Sequence, residues 1–366
     1  MIIEENSGGE VGRPSQVCPT FTDSGEFVEP SFLSQVGLFL TFRCTIRCRH
    51  CMVCAGPHRT EEVDIHEATG WLHQIASYGN GHTSSIAFTG GEPFCCWDKL
   101  LTLANTARRL NLTYTVMTNG FWAESKQKTR DMLVQLKPSD VSISTDTYHA
   151  EYIPIGNVTR VFEACQDLGI RCDISLAYDP KMLEQTRLLV QRILTFAPRE
   201  AIRTSRVFPS GRGESQADFC DEATIHRPPS EIPCLFATVP YILPNGDVMA
   251  CTGPIINLPH SNNPLCLGSL RERSIIDIFN DSQVHPILHG LRIWGPRFWH
   301  RLVEAHGPKS SLPDGYYTNC PCEGCIALLG NSTISEFLGN AAFSKELISY
   351  VAKARKTLLR EPIDCY

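Results

Sequence analysis

The chain has 366 residues, of which 42% are hydrophobic and 20% are charged. This length suggests roughly two domains with enough apolar residues for a sizeable core. The net charge is −6 and no block of Lys or Arg stands out, which argues against a nucleic-acid-binding groove. No apolar run approaches the roughly 18 residues of a membrane span, and the first thirty residues contain no signal-peptide core. We therefore expect a cytoplasmic protein that binds neither nucleic acid nor a membrane.

Cysteine is unusually frequent, with 17 in the chain. Disulfides need an oxidising compartment and normally a secretion signal, which the sequence does not show. So many thiols in a cytoplasmic protein favour a metal or iron–sulfur centre instead.

Residues 1–34 are rich in Gly, Pro, Ser and acidic residues and are expected to form an irregular lead-in. Over residues 35–212, short β-prone runs alternate with longer helical patterns. This alternation predicts parallel βαβ units with right-handed crossovers, and therefore an α/β fold built as a partial (β/α)6 barrel. The predicted strands are 37–42, 84–89, 112–118, 140–146, 171–178 and 202–208, and the predicted helices lie near 65–78, 97–110, 125–136, 157–168 and 181–196.

The regular alternation stops in residues 213–366, where prolines and cysteines are frequent. Asn245-Gly246 lies between two β-prone runs and predicts a tight hairpin turn. Helices are predicted near 273–292, 297–305 and 333–360. We expect this part to form a second, Cys-rich domain.

Chemically distinctive residues follow the predicted strands. Cys44, Cys48 and Cys51 follow the first strand, and a Gly-Gly-Glu-Pro stretch at residues 90–93 follows the second. In parallel α/β sheets, catalytic groups gather at the carboxyl ends of the strands. Further polar residues end or follow the next three strands, and these are Asn119, Gly120, Ser144, Asp146, Ser175 and Tyr178. We expect all of them on one rim.

The spacing of the first three cysteines fits an iron–sulfur site. Cys44, Cys48 and Cys51 can ligate three irons of a [4Fe–4S] cluster and leave the fourth iron open to an outside ligand. A zinc site normally has four closed ligands. Cys54 could supply the fourth thiolate, so this loop by itself leaves zinc as an alternative.

The cysteine loop at residues 44–51, followed by Gly-Gly-Glu-Pro at residues 90–93, resembles the paired motifs of the radical SAM superfamily. The resemblance covers about residues 37–212. It implies that the open iron binds the amino and carboxylate groups of S-adenosylmethionine (SAM). One electron from the cluster would then cleave SAM to a 5′-deoxyadenosyl radical, which abstracts hydrogen from carbon. A reductant such as flavodoxin or ferredoxin is also implied.

The same resemblance assigns cofactor contacts around the cysteine loop. Gly90, Gly91 and Glu92 are expected to hydrogen-bond the methionine amino group of SAM. His50, which directly precedes the third cysteine, is expected to contact the adenine.

Two further segments resemble the later strand ends of the family. Asn119 and Ser144 are expected to contact the ribose and carboxylate of SAM, with Ser144 as the preferred choice. For Asn119 and Asp146, ordinary turn and capping chemistry is the alternative. Residues 209–212 resemble a Pro-x-Gly-Arg segment that follows the sixth strand in many relatives, with a simple loop as the alternative.

The second cysteine set, together with the glycine of the predicted hairpin, resembles the opening of the SPASM and twitch extensions, which hold auxiliary [4Fe–4S] clusters. The complete SPASM pattern has more cysteines than this chain offers, which implies one auxiliary cluster and leaves a second one open. Zinc bound by the same thiolates is the alternative. The expected ligands are Cys234, Cys251, Cys322 and Cys325, with Cys320 as the alternative to Cys322.

The sequence offers only weak candidates for a catalytic residue. Cys95 or Cys96 could donate a hydrogen atom to a substrate radical, although buried cysteines that pack a helix start are commoner. Asp146 is a further candidate on the rim, and Tyr148 and His149 follow it and could line the substrate cavity.

The sequence leaves two enzymatic functions open and argues against a third, non-catalytic one. Family association favours hydrogen abstraction from a ribosomally made peptide, followed by cross-linking, oxidation or epimerisation. The short lead-in then predicts that a separate protein binds the leader peptide. A single auxiliary cluster instead favours a carbinol dehydrogenase or epimerase for an amino-sugar-like small molecule. A non-catalytic iron–sulfur or zinc protein would have no use for the amino-acid-binding glycine stretch.

Overall fold

The computed structural model describes residues 20–21, 27–28, 31–207, 210–216, 228–260, 263–316 and 320–361. Its strands form one large sheet and one small two-stranded sheet. They are β1 (Thr20–Phe21), β2 (Phe27–Val28), β3 (Gln35–Phe39), β4 (Ser85–Thr89), β5 (Thr113–Thr118), β6 (Asp140–Ser144), β7 (Arg171–Tyr178), β8 (Ile202–Arg206), β9 (Tyr241–Ile242), β10 (Asp247–Met249) and β11 (Cys266–Ser269).

Among the described residues, the α-helices fall into two groups, five between the strands β3–β8 and six after β11. The first group is α1 (Ile65–Ser77), α2 (Trp97–Arg109), α3 (Lys126–Leu136), α4 (Ile155–Asp167) and α5 (Leu183–Ile193). The second group is α6 (Ile275–Gln283), α7 (Pro286–Trp294), α8 (Pro296–His306), α9 (Pro321–Leu329), α10 (Ser332–Ala341) and α11 (Lys345–Ala354).

Strands β3 to β8 lie side by side in chain order, and every neighbouring pair is parallel. Each is joined to the next through one of the helices α1–α5. Strands β3–β6 are largely buried because the helices cover the sheet, whereas β7 and the edge strand β8 are more exposed. The predicted series of six βα units is confirmed.

Helices α1 and α3 of this unit begin at a residue whose side chain caps them, and each of the five helices buries apolar side chains. Asp64 accepts hydrogen bonds from the backbone N–H groups of His66 and Glu67 at the start of α1. Leu72 and Ile75 of the same helix are fully buried in the core that also contains the strand residues. Burial of such side chains contributes about 1.5–3 kcal/mol each, so packing rather than propensity fixes these helices.

A hairpin extends the sheet beyond β3. Strands β9 and β10 are antiparallel, and Gly246 takes a φ of 89° in the turn that joins them. This confirms the predicted turn. Strand β9 also pairs in parallel with β3, with Gly37 opposite Tyr241, so the second part of the chain continues the sheet of the first. The sequence did not predict that pairing, and the predicted division at residue 212 stays a prediction.

Two helices predicted as continuous are each divided in the structure. The segment near 273–292 contains α6 and α7, because Pro286 starts a new helix capped by the side chain of His285. The segment near 333–360 contains α10 and α11, followed by a π-helical turn at Arg355–Leu359. Helix α9 was not predicted. No helix in the described part of the chain has the length and apolar character needed to cross a lipid bilayer.

A buried carboxylate near the C-terminal end of the described chain contacts the segment that precedes β3. Glu361 accepts from the backbone N–H of Phe32 at 3.1 Å, from Arg292 Nη2 at 2.6 Å and from Arg355 Nε at 2.5 Å. Burial opposes ionisation of Glu361, but the two guanidinium groups outweigh it and lower its pKa to about 2. This group fastens α7 and the C-terminal turn to the segment before β3.

The pairing of β9 with β3 depends on the absence of a side chain at Gly37. A Cβ there would lie 2.0 Å from Cδ1 of Tyr241. We expect Gly37→Ala to lower the free energy of unfolding by about 1–3 kcal/mol, because the ring must move out of its packed position. Gly70→Ala is the matched control, since its Cβ would meet nothing within 4 Å, and should stabilise α1 by about 0.5–1 kcal/mol. Urea unfolding measures both, and equal effects would contradict the packing described.

Candidate functional site

A cavity of about 240 Å³ lies at the carboxyl ends of β3–β8. Residues at the ends of β4–β8 and in the loop after β3 contribute to its walls, as expected for a parallel sheet. The residues predicted for the site or its rim that line it are Cys44, Cys48, His50, Cys51, Gly90, Gly91, Asn119, Ser144, Asp146, His149 and Ser175. Those that do not line it are Glu92, Cys95, Cys96, Gly120, Tyr148 and Tyr178.

The cysteine loop brings three thiols to one wall of the cavity. Cys44 and Cys48 are buried, and Cys51 is partly exposed. Burial raises the pKa of Cys44 to about 12, and the neighbouring sulfur atoms of Cys48 and Cys51 add to the effect. Cys54, the alternative fourth ligand of a zinc site, does not line the cavity. Three thiols without a fourth fit a cluster with an open iron better than a closed zinc site.

The glycine stretch lies against the backbone of the cysteine loop. The Gly91 N–H donates to the carbonyl of Thr41 at 2.7 Å, and the Glu92 N–H donates to the carbonyl of Arg43 at 2.9 Å. A Cβ at Gly90 would lie 2.3 Å from the Thr41 oxygen, and one at Gly91 would lie 2.3 Å from the Arg43 oxygen. Only glycine permits this approach, which places the two motifs side by side.

Glu92 lies beneath the cavity rather than on its wall. Its side chain is fully buried. One carboxylate oxygen accepts from Thr118 Oγ1 at 2.8 Å and from the Phe94 N–H at 3.1 Å, and the other accepts from the Asn119 N–H at 2.7 Å. Burial raises the pKa of Glu92 to about 7, although these donors oppose the rise. The carboxylate therefore joins the ends of β4 and β5.

Asn119 combines turn chemistry with a place at the cavity. Its side-chain oxygen accepts from the Phe121 N–H at 3.0 Å, which is the turn contact considered as the alternative. Its side-chain nitrogen donates to Cys44 Sγ at 3.6 Å. The end of β5 is thus fixed to both the glycine stretch and the cysteine loop. Ser144, at the end of β6, lines the cavity beside them.

Asp146 joins two histidines at the cavity. One oxygen accepts from the backbone N–H groups of Tyr148 and His149, each at 2.9 Å. The other lies 2.8 Å from His149 Nδ1 and 3.2 Å from His50 Nε2. Burial opposes ionisation of Asp146, but the imidazoles of His149 and His50 outweigh it and hold its pKa below the usual range. Burial likewise opposes protonation of His149, yet Asp146 holds the pKa of that imidazole well above its usual value.

Tyr148 supports His50 from behind the wall. The two rings stack with centroids 4.6 Å apart, and the phenol donates to Asp179 Oδ2 at 2.7 Å. His50 Nδ1 is buried and has no hydrogen-bond partner among the described residues. Because His50 lines the cavity, this nitrogen is free to bind a ligand there.

The segment after β8 closes over the cysteine loop. Arg212 donates from Nε to the carbonyl of Cys48 at 2.9 Å and from its backbone N–H to the carbonyl of Cys51 at 3.1 Å. Gly211 has a φ of 58°, and a Cβ there would lie 2.3 Å from the Met52 oxygen. Residue 209 of this motif lies outside the described residues.

Arg206 ends β8 and lines the cavity. The sequence assigned it no role, although its position at the end of a predicted strand could have indicated one.

Cys95 and Cys96 lie at the start of α2. Cys96 is buried, and its thiol donates to the carbonyl of Pro93 at 3.2 Å. Cys95 is partly exposed, and its carbonyl accepts from Arg43 Nη2 at 2.6 Å. Both positions match the packing role considered as the alternative to hydrogen-atom donation.

The second cysteine set converges in the C-terminal part. Burial raises the pKa of Cys234 to about 11 and that of Cys251 to about 12. A Cβ at Gly253 would lie 3.2 Å from the sulfur of Cys251 and 3.8 Å from that of Cys322, so both thiols lie close to Gly253. The thiols in electrostatic contact within this set are those of Cys234, Cys251, Cys320, Cys322 and Cys325.

Helix α9 and the residue before it supply three of these five thiols. Cys320 precedes its first turn, and Cys322 and Cys325 lie on the helix itself. The Cys322 side chain hydrogen-bonds Cys320, and backbone N–H groups at the helix start also reach the Cys320 sulfur, so the pKa of Cys320 is lowered. The structure therefore brings both alternatives, Cys320 and Cys322, to the set.

Two protein families match this chain. The Radical SAM superfamily matches residues 38–181, and the SPASM iron–sulfur cluster-binding domain matches residues 234–297. The first match contains the cysteine loop and the glycine stretch, and the second contains Cys234 and Cys251.

Two curated relatives match parts of the chain. “Putative peptide biosynthesis protein YydG” of Bacillus subtilis (strain 168) is 26% identical over 150 residues, which cover 39% of this chain and 46% of that protein. GTP 3′,8-cyclase of Chlorobaculum tepidum is 28% identical over 118 residues, which cover 32% of this chain and 34% of that enzyme. The chain therefore spans less than half the length of either relative.

Solved structures support the same fold. Native anSMEcpe with bound AdoMet superimposes with a TM-score of 0.51 at 13% identity, over 87% of this chain and 99% of that one. The chain thus has the α/β radical SAM fold with a SPASM-type domain toward its C-terminus. Residues 38–181 match a radical SAM domain, and the two family matches together imply SAM and [4Fe–4S] clusters as cofactors.

Glu92 gives the site a testable pH dependence. Its pKa is about 7 in the folded chain and near 4.5 in the unfolded one. The folded state therefore binds more protons between these values, and the contribution of Glu92 to stability falls as pH rises from about 4.5 to about 7. We expect the unfolding free energy of the parent minus that of Glu92→Gln to decrease as the pH rises over this range. Urea titration measures both free energies.

Glu184→Gln is the control for that measurement, because the Glu184 side chain is 73% exposed and its loss should change stability little. A parent-minus-variant difference for Glu92 that is flat or rises with pH would contradict the burial described.

Proposed function

We propose that this enzyme uses SAM to abstract a hydrogen atom from a ribosomally made peptide, leading to a cross-link, an oxidation or an epimerisation. The observation that carries the proposal is the wall of three thiols beside a backbone stretch without side chains, at the carboxyl edge of the sheet. A site of this kind can hold a cluster and an amino acid next to each other.

We assign Cys44, Cys48 and Cys51 as the ligands of the SAM-binding cluster. Their thiols share one cavity wall, and the loop between them is held by Arg212. When bound, the cluster supplies the electron that cleaves SAM and leaves the 5′-deoxyadenosyl radical. Buried thiols must lose their protons to bind iron, so loading is expected to be favoured at higher pH.

The SAM contacts assigned here follow from the cavity walls. Gly90 and Gly91 offer backbone to the methionine amino group, and Ser144 and Asn119 lie where they reach the ribose or carboxylate. His50 presents its partnerless Nδ1 to the adenine. Glu92 is not assigned a direct contact with SAM. Its carboxylate accepts a hydrogen bond from the Asn119 N–H and thereby holds Asn119 in place.

Apolar side chains complete the cavity. Ile46, Met52, Ala177 and Val207 line it. Such a lining keeps water away from reactive species. Arg206 lines the same cavity from the edge strand β8 and offers a cation to an acidic group of the substrate.

We assign one auxiliary [4Fe–4S] cluster to Cys234, Cys251, Cys322 and Cys325, with Cys320 as the alternative to Cys322. Convergence of these buried thiols supports the assignment. An auxiliary cluster near a radical site can take up the electron that a substrate radical releases on oxidation. We propose that the radical SAM unit occupies residues 35–212 and the auxiliary unit residues 213–366.

The peptide substrate rests on the relative from Bacillus subtilis, whose name assigns it to peptide biosynthesis. A separate leader-peptide-binding protein and a flavodoxin- or ferredoxin-like reductant are the partners proposed. The second candidate is a carbinol dehydrogenase or epimerase acting on an amino-sugar-like small molecule. A single auxiliary thiol set favours it, because one cluster suffices to accept one electron.

The substitution Cys44→Ala should remove the SAM-binding cluster and leave the auxiliary cluster in place. Anaerobic reconstitution of the parent is expected to give about eight irons per chain, and Cys44→Ala about four. Cys44→Ala should also release no 5′-deoxyadenosine from SAM and reductant. Cys54→Ala is the matched control from the same loop, because Cys54 does not line the cavity, and it should keep both values. Iron analysis and chromatography check these outcomes, and an inactive Cys54→Ala would reject the three-cysteine assignment.

The auxiliary cluster has its own test. Cys322→Ala should lower the iron content from about eight to about four per chain, whereas Cys320→Ala should keep it near eight. The reverse result would exchange these two residues as ligands. Full iron content in both variants would show that neither thiol is required.

The substrate class is tested by expressing the enzyme together with short open reading frames encoded beside its gene. Mass spectrometry should show loss of two hydrogen atoms for a cross-link or an oxidation, or uptake of one solvent deuterium in D₂O for an epimer. Unmodified peptides, together with turnover of an amino-sugar-like compound, would favour the second candidate instead.

A further inference from the structure

We propose that Asn119 sets the reduction potential of the SAM-binding cluster by donating a hydrogen bond to the sulfur atom of Cys44. This inference rests on the proposed assignment of Cys44 as a cluster ligand. It gives Asn119 a role that does not depend on contact with SAM.

The amide of Asn119 is oriented so that its donor faces the sulfur. Nδ2 lies 3.6 Å from Cys44 Sγ. The other end of the amide cannot take that place, because Oδ1 already accepts from the Phe121 N–H at 3.0 Å. The backbone N–H of Asn119 is held by Glu92 at 2.7 Å, and the residue is 5% exposed. The Nδ2 donor is therefore held in one orientation and shielded from water.

A further ligand, Cys51, has a cationic neighbour. The guanidinium of Arg212 acts electrostatically on Cys51 and donates to the carbonyl of Cys48. Reduction adds negative charge to a cluster, and hydrogen bonds or positive charge at its sulfur atoms stabilise that reduced state. The polar groups around this loop therefore make the cluster easier to reduce.

The test measures the reduction potential by EPR-monitored titration of the reconstituted enzyme. The relevant signal is the one that changes when SAM is added. Asn119→Leu keeps the size of the side chain but removes the donor. It should make reduction at least tenfold less favourable, which corresponds to a potential about 59 mV more negative for one electron.

Two further variants accompany the measurement. Asn119→Ala removes the same donor with a smaller side chain and should shift the potential in the same direction. His260→Gln removes a histidine that pairs with Asp247 at 2.5 Å and does not line the cavity, so its potential should equal that of the parent. Iron content is measured throughout, and Asn119→Ala carries the test if Asn119→Leu fails to bind iron.

Asn119 variants that titrate together with His260→Gln would show that Asn119 does not tune the cluster, and that result overturns the proposal. A parent enzyme without any SAM-responsive signal would instead reject the ligand assignment made under the proposed function. The two failures are therefore distinguishable.

Discussion

The site depends on one close contact between two pieces of backbone. Gly90 and Gly91 lie against the carbonyl groups of Thr41 and Arg43 at distances that leave no room for a Cβ. Hydrogen bonds from this stretch to residues 41–43 then fix the cysteine loop relative to the end of β4. Without this contact, the three thiols and the glycine stretch would lie on the same edge of the sheet but not beside each other.

A second layer of contacts fixes the remaining strand ends to this junction. The carboxylate of Glu92 takes three donors from the start of α2 and the end of β5, and Asp146 gathers His50 and His149 from two different loops. The same sheet continues through β9 into the part that holds the second thiol set. The two thiol sets thus lie in parts of the chain that share one sheet.

Much of this could be predicted from the sequence because it is local. Alternating β-prone and helical patterns located the six parallel strands and their helices, and the cysteine spacing located the first thiol wall. The pairing of β9 with β3 could not be predicted, since residues 37 and 241 are far apart in the chain and neither run is distinctive. The inward direction of Glu92 was missed because its motif indicates a ligand contact, whereas its partners, Thr118 and Asn119, come from a distant strand.

The central claim is that three cysteines leave one iron open for SAM beside the glycine stretch. Electron–nuclear double resonance on the reduced enzyme tests it most directly, with SAM labelled with ¹⁵N in the amino group and ¹⁷O in the carboxylate. The account predicts hyperfine coupling from both labels to the cluster, and loss of both couplings in Cys44→Ala. A fully loaded, reduced cluster that shows neither coupling would contradict the account.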